Sequence, residues 1–251
     1  MEKLTEKDLQ RFFGNSTDKL METDPEFLQI IGNFMKKDVL PENKLTEKEQ
    51  TICILSVLIG CGGISEFKNI LYSALNNGIE PTAVKEIIYQ ATAYLGIGRT
   101  LDFLNASNDV MELCNIKLPL ELSSTTDENT RFEKGLEKQV KLFGKDMEKR
   151  QSDSPILRRN INRWLASNCF GDYYTRIGLN DREREMITFC FILAQGGCEN
   201  QLRGHVAGNL AIGNSKEILY SIVEQCMPFI GYPRSLNAMN IIDEITSKTG
   251  K

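Results

Sequence analysis

The sequence has one histidine, no CxxC pair and no long apolar run. Its longest largely apolar stretch, about Ile52 to Ile59, falls far short of the ~20 residues that a membrane span needs. Each shortage excludes something. Seven cysteines (Cys53, Cys61, Cys114, Cys169, Cys190, Cys198 and Cys226) form an odd set without paired spacing, which fits neither a secreted disulfide framework nor a zinc ribbon. Reduced thiols in a cytosol are the simpler reading. There is no basic excess either: 30 Lys and Arg against 34 Asp and Glu leave a net charge of −4, without the footprint of a nucleic-acid binder. The opening residues, Met1-Glu2-Lys3-Leu4-Thr5-Glu6, are polar and unlike a signal peptide. The expectation is a cytoplasmic protein with no nucleic-acid or membrane partner. At 41% hydrophobic and 25% charged over 251 residues, the chain can bury a core without disulfide staples.

What is present is a repeat. Residues 46–101 align over 181–236 without a gap, an offset of 135, with Ile52 over Ile187, Gly62 over Gly197, Gly78 over Gly213, Gln90 over Gln225 and Arg99 over Arg234. Each copy predicts the same helices. Thr46 with Glu49, and Asn180 with Glu183, form capping boxes. Gly62-Gly63 and Gly196-Gly197 break the helix that follows. Gly78 and Gly213 suit a left-handed residue after the next helix. Sustained period-two alternation is missing, so essentially no sheet is expected. Helices over 25–37 and 155–168 precede the copies, and a charged helix over about 128–149 leads into the second. The prediction is an all-α chain: a first helical unit at 1–116 with a degenerate site, a linker at 117–130 rich in Ser, Thr and Asp, and a second unit at 131–251 with the candidate site.

That site centres on His205. Cys198, Gln201 and His205 are spaced i, i+3 and i+7, which puts them on one helical face. Cys198 stands at the helix N-terminus, where the dipole favours a thiolate, and an imidazole can serve as acid or base near neutral pH. Structural readings stand beside these: a single His on an amphipathic helix is usually structural, and a single Cys is usually a small buried hydrophobe. Cys190 and Cys226, in apolar runs, are expected in the core. Arg184 and Glu185, on the preceding helix, are candidates for binding a carboxylate or assisting proton transfer, or else form a solvated first turn. The first unit has Gly63, Glu66 and Ile70 at the three positions, so it is expected to be scaffold or to lend only Glu66. Arg99 and Arg234 recur and read as bonds to helix ends.

Gly178 to Glu185, Gly197 to His205, Gly213 and Phe229-Ile230-Gly231-Tyr232-Pro233 together resemble the carboxymuconolactone decarboxylase family, which includes the alkylhydroperoxidase D proteins. Leu45 to Glu49, Gly78 and Tyr94-Leu95-Gly96 carry the same frame in the first unit. The resemblance implies an all-α fold of two units related by a pseudo-twofold, a small-molecule substrate, and a homo-oligomer; no metal or cofactor is expected. A trimer is the form implied, because single-unit members commonly form hexamers. His205 matches the family's helix-borne His. In the peroxidase branch a CxxC and an upstream Glu accompany that His. Here Cys198 matches the first cysteine, Gln201 replaces the second, and Met186 stands about where the Glu would fall, with Glu185 adjacent. Three readings follow. One is an enzyme acting on a small organic acid or lactone, with His205 in proton transfer, Gln201 orienting the substrate and Arg184 holding its carboxylate. Another is a thiol-dependent hydroperoxide reductase (peroxiredoxin-type activity) using Cys198. The third is a non-catalytic oligomeric binding protein. Glu66 is expected to complement His205 across the pseudo-twofold.

Overall fold

Two reciprocal caps start the central helices. The Thr46 hydroxyl accepts the Glu49 N–H at 3.2 Å while the Glu49 carboxylate accepts the Thr46 N–H at 2.9 Å; Asn180 and Glu183 repeat this at 3.0 and 2.9 Å. In the computed structural model, which describes residues 17–249 together with Leu4, Phe13 and Gly14, the helices run in order. They are α1 (Thr17–Thr23), α2 (Pro25–Asn33), α3 (Glu47–Cys61), α4 (Ile64–Asn76), α5 (Pro81–Leu95) and α6 (Ile97–Leu113). Then follow α7 (Arg131–Phe143), α8 (Asp146–Asp153), α9 (Ile156–Trp164), α10 (Asp181–Gln195), α11 (Glu199–Ala211), α12 (Lys216–Ile230) and α13 (Tyr232–Thr249). Helices α2 and α9 each continue into a π-helical segment, Phe34–Val39 and Leu165–Tyr174. No strand occurs among the described residues, and no described helix is long and apolar enough to cross a membrane.

The two capped helices, α3 and α10, pack against each other at the centre. They approach so closely that a Cβ on Gly60 would lie 2.7 Å from Ala194 Cβ and 3.0 Å from the Phe191 carbonyl. Each also packs on the third helix of the other unit, α3 on α12 and α10 on α5. Buried amides fix those crossings in equivalent pairs. Gln50 on α3 donates to Gln225 on α12 at 2.6 Å, and Arg184 on α10 donates to Gln90 on α5 at 2.7 Å. This exchange is the pseudo-twofold. It makes one continuous core, from Ile52, Leu55 and Ile59 through Phe189 and Phe191 to Ile222, rather than one core per unit.

Two expectations change in detail. The alignment is not free of gaps: α3 and α10 correspond at an offset of 134 and the later helices at 135, the extra residue lying in the turn at Gly196–Cys198. The expected charged helix over 128–149 is two helices, broken at Gly144, whose φ of +87° suits glycine. The stretch 117–130 is non-helical as expected, yet it is tied down, with Thr125 and Thr126 donating to the carbonyls of Thr175 and Gly171 at 2.8 and 2.9 Å. The helix it leads into, α7, lies against the segment Leu165–Tyr174, and Gly135 meets the Ala166 carbonyl where any side chain would collide.

Candidate active site

His205 faces α10 from α11. Its Nδ1 lies 2.9 Å from Glu185 Oε2, with the Glu185 side chain fully buried and that of His205 only 11% exposed. Asn209, one turn beyond His205, donates to the backbone carbonyls of both residues, at 3.1 Å to Glu185 and 2.7 Å to His205, and so locks the two helices in register. Gly208 leaves the room: a Cβ there would lie 2.6 Å from Glu185 Oε2. The imidazole is walled by Tyr94 and Phe143, both edge-on with ring centroids at 5.5 Å.

The second oxygen of Glu185 accepts the Tyr174 hydroxyl at 3.0 Å. Tyr174 is itself 2.8 Å from the Tyr94 hydroxyl and 2.6 Å from Thr188 Oγ1, and Gln90 donates to Thr188 at 2.8 Å. Cys169 reaches the Tyr94 hydroxyl at 3.7 Å. Burial pushes both tyrosines well above the ordinary phenol range, with neighbouring Glu185 and Cys169 adding to it. Burial likewise pushes the Cys169 thiol up to about 12, against a smaller lowering by its bond to Tyr94. All three therefore stay protonated and act as donors. An ionised carboxylate only accepts, so the donors point one way: Cys169 to Tyr94 to Tyr174 to Glu185. Nδ1 of His205 faces Oε2, so a proton carried on Nδ1 would be held by the carboxylate. Among the described residues none is seen to bond its Nε2. A carboxylate that fixes the imidazole tautomer and can stabilise the imidazolium is the arrangement general acid–base catalysis needs.

The predicted site residues separate. His205 and Glu185 come together, and burial rules out the solvated-turn reading of Glu185. Gln201 is exposed one turn ahead of His205 on α11. Cys198 caps the start of α11, half-buried, and accepts from Gln195 Nε2 at 3.4 Å; seven residues of helix place it ~10 Å from His205 along the axis. Arg184 does not hold a substrate carboxylate. Its side chain is buried and bonded to Glu86 at 3.1 Å, to Gln90 and to the Arg176 carbonyl at 2.7 Å. Glu66 does not complement His205. It lies on α4, which packs on α3 and α6, and it accepts from Asn69 of its own helix at 3.2 Å, whereas α11 packs on α7, α10 and α13. Arg99 bonds the Gln195 side chain at 3.3 Å rather than a helix-end carbonyl. Cys190 and Cys226 are in the core, as expected.

Sequence reasoning missed Tyr174, Tyr94, Thr188 and Gly208. Tyr174 and Tyr94 lie on elements distant in sequence, and no spacing rule joins them. Thr188 and Glu185 are i and i+3 on one helix, so their shared face was legible.

The sequence profile of the carboxymuconolactone decarboxylase family matches this chain twice, at residues 25–109 and 160–244. A curated relative, the 4-carboxymuconolactone decarboxylase of Acinetobacter baylyi, is 24% identical over 125 residues, which is 49% of this chain and 92% of that protein. A solved structure described as a gamma-carboxymuconolactone decarboxylase subunit, from Burkholderia xenovorans LB400, shares the fold with a TM-score of 0.56 at 17% identity, over 97% of this chain and 96% of that one.

Proposed function

Because the chain belongs to the carboxymuconolactone decarboxylase family, we propose that it is a decarboxylase-like lyase acting on a small organic acid or lactone through His205. The observation that carries this is the buried Glu185–His205 pair at 2.9 Å, with none of the described residues seen to bond Nε2. Loss of CO2 breaks a C–C bond and leaves the electron pair on the remaining fragment. A proton must then reach carbon. His205, protonated at Nε2, supplies it, Glu185 holds the imidazolium in place, and solvent returns the proton. Gln201, exposed on the same face, orients the substrate. The test is CO2 release from 4-carboxymuconolactone, the compound named in the relative's description. Turnover by wild type that falls at least 100-fold in His205→Gln supports the reading; equal turnover by the two proteins overturns it.

Cys198 carries a second reading. The Cys198 thiol, partly exposed at the N-terminal end of the 13-residue α11, is placed for nucleophilic attack, and a hydroperoxide could oxidise it with an external dithiol as resolver. Hydroperoxide consumption that disappears in Cys198→Ser would favour this reading; none in wild type would remove it and, with no turnover of the lactone, would leave a binding protein.

The assembly we propose is a trimer of two-unit chains. Ile97 and Tyr232, and Leu101 and Leu236, are exposed apolar residues at equivalent positions of the two units, a repeated face that like copies can cover. Sedimentation equilibrium at three times the chain mass supports it. All seven cysteines are free, which favours a reducing compartment, the cytoplasm.

A further inference from the structure

A cavity of about 1070 Å³ lies away from His205. It lies in the first unit, at the position the pseudo-twofold relates to the His205 site. The equivalences are specific. Thr51 lines it where the second unit has Glu185, and Ile54 where it has Thr188, at an offset of 134. Ile70 replaces His205, Val39 replaces Tyr174, and Phe229 replaces Tyr94, at 135. Every replacement removes a group able to hold or pass a proton, and four of the five put an apolar side chain in its place. Thr51 and Ile54 are half-buried along the cavity, whereas Glu185 and Thr188 are fully buried in theirs.

We propose that the first unit is a second, non-catalytic binding site for an uncharged, largely apolar small molecule bearing a hydroxyl or carbonyl group. The floor is apolar, from Ile54, Ile70, Val39 and Phe229. Its polar wall includes the uncharged Thr51 and Ser73 beside the charged Glu47, Lys48 and Glu80; the Thr51 hydroxyl, which donates to the Glu47 carbonyl at 2.7 Å, can accept from a ligand hydroxyl, and Ser73 can donate to a ligand oxygen. An anion is disfavoured. The lining carboxylates Glu47 and Glu80 repel it, and the lining cation Lys48 is already paired with Glu183 at 2.5 Å. The site is thus chemically distinct from the one at His205, where a proton donor serves an acidic substrate.

The experiment is a fluorescence titration of the full chain with N-phenyl-1-naphthylamine, a neutral apolar probe, with 1-octanol and octanoate as competitors. Saturable binding at one probe per chain is expected, displaced by 1-octanol at a concentration at least tenfold lower than octanoate. Thr51→Trp, which fills the cavity, should raise the Kd at least tenfold, and His205→Ala should change it less than twofold. Should Thr51→Trp fail to fold, Ser73→Trp fills the same space from a half-buried position on α4. Non-saturating binding, loss of binding in His205→Ala but in neither tryptophan variant, or octanoate competing as well as 1-octanol would overturn the proposal.

Discussion

In the second unit, Glu185, His205 and Tyr174 meet in a buried, hydrogen-bonded cluster; in the first, Thr51, Ile70 and Val39 face an open cavity. The backbone frame is the same, with equivalent caps, equivalent left-handed glycines and equivalent buried amides. A fold of this kind therefore does not require the Glu185–His205–Tyr174 cluster for its stability. It requires the crossings of α3, α5, α10 and α12, and the chemistry is added on faces that those crossings hold still.

The largest expected effect tests which face reacts. His205→Gln and Glu185→Gln should each lower kcat for the decarboxylation by roughly 100- to 10,000-fold, the range of a lost general acid–base group. Thr51→Ala and Ile70→Ala should leave it within about twofold. Next is Gly208→Ser, which installs the first unit's Ser73 in the second. The added Cβ lies within 2.6 Å of Glu185 Oε2, so the carboxylate must move, and a displacement near 1 Å lowers kcat by about 100-fold. Stability measured by urea unfolding should change far less.

Stability separates the two equivalent ties. Arg184→Ala strands the Glu86 carboxylate in the interior and should cost about 3–5 kcal/mol, although Arg176 still bonds Glu86 at 2.9 Å and holds the loss toward the lower end. Gln50→Ala removes the neutral hydrogen bond to Gln225 and should cost about 1–3 kcal/mol. The difference in urea midpoints checks both. The smallest effect is on thiol labelling. At pH 8 iodoacetamide should reach the partly exposed Cys61, Cys114 and Cys198 and spare buried Cys53, Cys169, Cys190 and Cys226. Because burial raises the Cys169 pKa to about 12, its reactive thiolate is scarce at pH 8 and grows only as pH rises toward that value. Mass spectrometry of the folded protein reads the pattern.

Much of this was legible in the sequence. The caps at Thr46 and Asn180 and the glycines at 62, 78 and 213 are local signals, and local physics sets them. His205 stood out because it is the chain's one histidine. What failed was assignment by adjacency. Arg184 and Glu185 are neighbours on α10, yet a helix turns about 100° per residue, so one points at α5 and the other at α11. The one-residue insertion after α10 also hid Thr51 as the partner of Glu185, since an ungapped alignment pairs Thr51 with Met186. Tyr94 and Tyr174 needed the three-dimensional fold, because π-helical and crossover geometry brings them together across 80 residues of chain.

The most direct test uses the single histidine, whose imidazole nitrogens give an unambiguous 15N NMR signal. In neutral His205 the account predicts a proton on Nδ1, held by Glu185, and a pyridine-type Nε2; Glu185→Gln should disturb that pattern. A neutral imidazole protonated at Nε2, or a spectrum unchanged by Glu185→Gln, would contradict it.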